Sequence, residues 1–214
     1  MKTESIIFDL DGTLWDSSEN VAASWEETVR MQNNPLLRSV HITQSDIQGV
    51  MGMTMDAIAA KLFPMLSLSK QTELMDICTE QENDFLAEHG GKLYDGLEET
   101  LKALSADHRL FIVSNCQTGY IEAFFEYCGF ERYFTDYLCW GETGKKKSET
   151  IRLLMKRRKI TQAVYVGDTA GDCTAAYEAG IPFIHAAYGF GKDIPEDKTA
   201  AVIKSISELC GIFG

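Results

Sequence analysis

The chain has 214 residues, with 45% hydrophobic and 24% charged side chains and 20 Lys+Arg against 32 Asp+Glu, a formal net charge of −12. This composition excludes a disordered, collagen-like or disulfide-dense chain, and the acidic field disfavours nucleic acid and anionic membranes as partners. The N-terminus turns acidic after about nine residues without a long apolar run, so neither a secretory signal nor a spanning helix is expected there, and a cytoplasmic location is expected by default; the sequence leaves the oligomeric state open, with a monomer favoured.

In chain order, the first predicted strand is Ile6–Leu10, a β-branched and aromatic run that ends in Asp and Gly. The stretch from Ser17 to Gly90 then shows several amphipathic helical patterns and no convincing strand. Thr43-x-x-Asp46 and Ser69 are candidate helix starts, with Pro35, Gly49, Gly52 and Pro64 as punctuation. An entry hinge is expected near Asp16–Ser18 and a return hinge at Gly90-Gly91. Residues 17–90 are therefore expected to form an all-helical inserted cap, and residues 1–16 with 91–214 the core. From residue 93 onward strands and helices alternate. Asp95-x-x-Glu98 reads as a capping box, strands are expected at Leu110–Ser114, Tyr137–Trp140, Ala163–Gly167 and Pro182–His185, and Gly129 and Gly180 end helices. The fold class is α/β, a Rossmann-like parallel sheet carrying the helical cap. No internal repeat is present, and the six scattered cysteines form no C-x-x-C pair.

In an open α/β sheet, chemistry is sought just beyond the carboxyl ends of the strands. Strand one ends in Asp9-Leu10-Asp11-Gly12-Thr13, two carboxylates at a spacing that lets both face one site. Strand two ends in Ser114-Asn115, a hydroxyl and N–H groups suited to a phosphate oxygen, and equally suited to a plain helix cap. Strand four ends in Gly167-Asp168-Thr169-Ala170-Gly171-Asp172, a second carboxylate pair. Carboxylates converging on one rim call for a cation, and an all-oxygen ligand set favours magnesium. Taken singly, Asp168 also reads as a turn residue and Asp172 as a solvated helix position. Gly141-Glu-Thr-Gly144-Lys145 has the wrong spacing for a P-loop, and Gly189-Phe-Gly191 is too short for a dinucleotide fingerprint and reads as a substrate-side or structural loop.

D-x-D-G-T after the first strand, Ser-Asn after the second, and G-D-T-x-x-D late in the chain together resemble the haloacid dehalogenase-like hydrolase superfamily. The helical insert resembles its type 1 cap, as in the phosphoglycolate phosphatase and β-phosphoglucomutase-like members. The resemblance implies that Asp9 is the nucleophile and that Asp11 is general acid and base. It also implies that magnesium is held by Asp9, Asp168 and the main-chain carbonyl of Asp11, with Asp172 holding metal-bound water. Ser114, Asn115 and Lys147 would bind phosphate; Lys146 is the alternative to Lys147, since the triple lysine lacks the Lys-Pro often found there. In the cap, Gln48, Met51 and Thr54 lie on the segment expected to overhang the site, which contains no Arg or Lys, although Lys61 could reach it. Met51 and Met53 are equally readable as cap packing. The expected activity is magnesium-dependent hydrolysis of a small phosphorylated metabolite through an aspartyl-phosphate, with a phosphomutase or a non-catalytic binding module as alternatives. An aspartate at the Asp11 position argues against dehalogenase and phosphonatase chemistry.

Overall fold

A computed structural model describes residues 3–214. Strand β1 (Ser5–Phe8) runs into a short strand β2 (Trp15–Asp16), followed by helices α1 (Ser18–Met31), α2 (Gln44–Gln48), α3 (Met55–Leu62) and α4 (Leu68–His89). The chain returns through β3 (Lys92–Leu93), α5 (Leu97–Leu104), β4 (Arg109–Ser114), α6 (Tyr120–Cys128) and β5 (Phe134–Cys139). It continues through α7 (Trp140–Thr143), α8 (Lys147–Arg158), β6 (Ala163–Gly167), α9 (Ala170–Ala179), β7 (Phe183–Ala186), β8 (Ala201–Ile203) and α10 (Leu209–Phe213).

Six strands form one parallel sheet in the order β5-β4-β1-β6-β7-β8. The central strands are apolar on both faces because helices cover both. Ile6 and Phe8 of β1 join Leu110, Ile112, Val164 and Val166 on one side, against α5 and α6. Ile7, Phe111, Val113 and Tyr165 face the other side, against Ile151 and Leu154 of α8 and Ala176 of α9. Each such side chain is fully buried, a gain of about 1.5–3 kcal/mol apiece over exposure. In-register pairing of β1 with β4 and β6 sets Phe8 beside Ile112 and Val166. The segments that follow these three strands therefore emerge together at one edge.

The helices between β2 and β3 meet the sequence expectation, and β2 and β3 pair antiparallel at the two crossings of the chain, a two-stranded ribbon the sequence did not disclose. Thr43 and Asp46 form the expected capping box at α2, and Gly129 and Gly180 end α6 and α9 in the left-handed conformation. Local boundaries shift: β1 spans Ser5–Phe8 instead of Ile6–Leu10, and β7 spans Phe183–Ala186 instead of Pro182–His185. Helix α4 begins at Leu68 after Ser67 instead of at Ser69, α5 is preceded by left-handed Gly96, so Asp95 does not cap it, and β5 starts at Phe134, with Trp140 already in α7. Strand β8 is an addition: three residues at the sheet edge are too short to show a period.

Candidate active site

The loops after β1, β4 and β6 meet, as the sheet order requires, around one buried group of charges. Carboxylate oxygens of Asp9, Asp168 and Asp172 lie within 4.8 Å of one another, and all three residues are buried. Lys147, at the start of α8, sends its Nζ between them, 2.9 Å from Asp9 Oδ1 and 2.6 Å from Asp172 Oδ1. Burial works against the Lys147 ammonium, but Asp172 and Asp9 more than offset it, so its pKa stands above the usual lysine range. Burial, then the Asp172 charge, raises the Asp9 carboxyl well above its ordinary range, while Lys147 opposes the rise. Lys146 is exposed and precedes the helix, which separates the two lysines that the sequence left as alternatives.

Asp168 is held by the loop that follows β7. The main-chain N–H groups of Phe190 and Gly191 donate to its Oδ2 at 2.7 and 3.2 Å, so the Gly189-Phe-Gly191 loop is a clamp for this carboxylate. Its Oδ1 is buried without a hydrogen-bond partner. Burial, followed by the Asp172 charge, pushes the Asp168 carboxyl up to about 7. Gly12, at φ 79°, packs so closely that any β-carbon there would overlap the Asp168 carboxylate. Asp172 caps α9, its Oδ2 accepting from the Thr169 N–H at 2.9 Å and hydroxyl at 2.6 Å.

These residues fit a divalent cation. Three crowded carboxylates exceed the charge of one ammonium, and an orphaned acceptor on Asp168 faces the gap, an arrangement a hard cation with oxygen ligands relieves.

Asp11 stands apart from that cluster. Its Oδ1 accepts from Trp15 Nε1 at 2.9 Å, Ser17 Oγ at 2.8 Å and Tyr120 OH at 2.8 Å, and burial raises its carboxyl pKa against the lowering effect of those donors. Trp15 and Ser17, four and six residues on, were within reach of a sequence reading; Tyr120, on α6, was not.

Asp9 and Asp11 line a cavity of about 40 Å³ with Ser114 and Asn115, room for only a few waters. Asn115 also ties the helical insert down, its Nδ2 donating to Gly52 O at 2.8 Å. Of the three insert residues expected near the site, Met51 lines this cavity. Gln48 lines a separate outer groove and bonds Ser18 Oγ at 3.2 Å. Thr54 precedes α3 and bonds Asp56, away from the cavity lining. Lys61 is spent on Gly49 O at 2.7 Å and does not reach the cavity.

Comparison with known proteins now bears on this geometry. The model of a family described as haloacid dehalogenase-like hydrolase matches residues 6–186. The chain belongs to the haloacid dehalogenase-like hydrolase family. Among curated relatives, a phosphoglycolate phosphatase of Vibrio vulnificus is 30% identical over 97% of this chain and 94% of its own length. One from Agrobacterium fabrum is 28% identical over 88% and 82%. Among solved structures, a haloacid dehalogenase-like family hydrolase from Streptococcus pneumoniae shares the fold at a TM-score of 0.79 and 20% identity, covering 99% of both chains. CbbY from Rhodobacter sphaeroides, crystallised with phosphate, does so at 0.75 and 18%, over 97% of this chain and 96% of its own. The enzyme is a phosphoric monoester hydrolase of this family.

Proposed function

We propose that the enzyme hydrolyses a small phosphorylated metabolite with magnesium through an aspartyl-phosphate on Asp9, residues 17–90 acting as a cap over the core formed by 1–16 and 91–214. The observation that carries this reading is the pairing of Asp9, engaged by Lys147 at 2.9 Å, with Asp11, which lines the same cavity and whose Oδ1 accepts from three donors.

Asp9 attacks the phosphorus in line, forming an acyl phosphate as the ester oxygen departs. Asp11 gives that oxygen its proton. The donors on Oδ1 keep the carboxyl oriented, and burial favours the protonated form that an acid needs near neutral pH. In the second half-reaction the Asp11 carboxylate takes a proton from water, which attacks the acyl phosphate and frees Asp9. Lys147 neutralises Asp9 before attack and the phosphoryl oxygens after it, while the Ser114 hydroxyl and the Asn115 main chain bind those oxygens. Asp9, Asp168 and the Asp11 carbonyl would hold magnesium, with Asp172 beside it. A bound ion would supply the positive charge that lets an anionic nucleophile approach a phosphate.

A phosphomutase, which must also grip a second phosphate, is disfavoured by a cavity lining without Lys, Arg or His. The net charge of −12 disfavours polyanionic partners, and no described helix is long and apolar enough to cross a membrane. Free cysteines at all six positions suit a reducing, cytoplasmic setting. The test is phosphate release from 4-nitrophenyl phosphate in magnesium. Release is expected to disappear with EDTA and to fall at least a thousandfold in Asp9→Asn; an active Asp9→Asn protein would overturn the covalent route.

A further inference from the structure

Helix α4 packs through a stripe at Gln71, Leu74, Met75, Cys78, Glu82 and Leu86, the spacing of a buried helical face. Glu82 occupies a position on that stripe where an apolar residue would be cheapest, because an uncompensated buried carboxyl is costly. It is 3% exposed, and its Oε2 accepts from Trp25 Nε1 at 2.7 Å.

The carboxyl also lines the same cavity as Asp9 and Asp11. The remaining wall on the insert side is apolar, formed by Val21, Ile47, Val50, Met53, Met55 and Ile58 among others. No Lys, Arg or His lines the cavity, and Lys147, the nearest buried cation to the chemistry, is spent on Asp9 and Asp172. A substrate whose phosphate sits at Asp9 must therefore direct its leaving alcohol toward Asp11 and an apolar wall interrupted by one hydrogen-bond acceptor.

We propose that Glu82 determines substrate specificity by accepting a hydrogen bond from a hydroxyl or ammonium group on the leaving alcohol, and that the enzyme selects compact phosphomonoesters whose alcohol carries such a donor and no anion. This rests on the phosphatase reading above and narrows it. A second anion on the alcohol, such as the carboxylate of phosphoglycolate, would be buried against this apolar wall with no cation in the cavity lining to meet it, a desolvation cost that rejects the wrong substrate. A site built to pair a donor likewise discriminates against an analogue lacking one.

The experiment compares kcat/KM for O-phosphoethanolamine, glycerol 3-phosphate, n-propyl phosphate, phosphoglycolate and 4-nitrophenyl phosphate in the wild type, Glu82→Gln and Glu82→Met, with folding checked by circular dichroism. In the wild type, at least one donor-bearing ester is expected to exceed both n-propyl phosphate and phosphoglycolate tenfold or more. Glu82→Met should reduce its ratio to n-propyl phosphate at least tenfold. Glu82→Gln distinguishes the two donors, since an amide still accepts from a hydroxyl, whereas an ammonium needs a carboxyl that can give up its proton and pair with it as a carboxylate. Preference for phosphoglycolate, or a ratio within twofold of wild type in Glu82→Met, overturns the proposal while leaving the phosphatase reading intact if 4-nitrophenyl phosphate is hydrolysed. Hydrolysis of none of the five overturns both. Should Glu82→Met not fold, the wild-type ranking decides.

Discussion

Lys147 and Glu82 are both buried charged side chains, and their burial is compensated differently. Lys147 balances two carboxylates at 2.9 and 2.6 Å. Removing one member of a buried ion pair leaves the others uncompensated, at about 3–5 kcal/mol. Lys147→Met is expected to lose that much stability in EDTA by urea denaturation and to lose activity, whereas exposed Lys146→Ala should alter neither measurably. Among the described residues no cation pairs with Glu82, and burial pushes its carboxyl up to about 8. Its folded pKa lies above the ordinary 4.5, so the folded protein keeps a proton that the unfolded chain releases. Stability from this group is therefore complete below pH 4.5, falls as pH rises, and is lost above 8, with a slope of at most about 1.4 kcal/mol per pH unit. Denaturation of metal-free protein between pH 5 and 9 should show wild type losing ground steadily against Glu82→Gln. A parallel pair of curves would mean that Glu82 titrates normally in the fold.

At the scale of elements, the two crossings between insert and core carry the demanding backbone. Gly90 ends α4 at φ 66° and ψ −152°, a region essentially restricted to glycine. A β-carbon there would overlap the Tyr127 ring on α6. Gly90→Ala is expected to destabilise the protein by about 1–3 kcal/mol from backbone strain alone, read as a lower denaturation midpoint and faster proteolysis near residue 90. Helix α8 is fixed at its other end by Asp136 of β5, which accepts from Arg157 Nε at 2.7 Å and from Arg158. That anchorage sets the axis along which Lys147 reaches the carboxylates. The strand-end motifs were legible because each lies within a few residues of an apolar run and its geometry follows from the strand itself. Strand β8 and the ribbon of β2 with β3 were not, since two or three residues pair only because distant chain brings them together.

For the molecule as a whole, contacts such as Asn115 to Gly52 O at 2.8 Å and Asn83 to Thr118 O at 2.9 Å hold insert against core. On the proposed reading, crowding of Asp9, Asp168 and Asp172 would make the folded core a better magnesium ligand than the unfolded chain. Magnesium at a hundred times its Kd should stabilise by about 2.7 kcal/mol by mass action, visible as a rise in Tm of several degrees that Asp168→Asn removes. The sequence by itself determined the α/β class, the helical insert, and the carboxylates and hydroxyl at the strand ends, because periodicity and strand termini are local properties of the chain. Tertiary structure alone decided that Lys147 and not Lys146 meets Asp9, that Tyr120 and the Phe190–Gly191 main chain orient Asp11 and Asp168, and that Glu82 faces the cavity. Each of those contacts joins residues far apart in the chain, and which face of a helix meets which loop is fixed only when the layers pack.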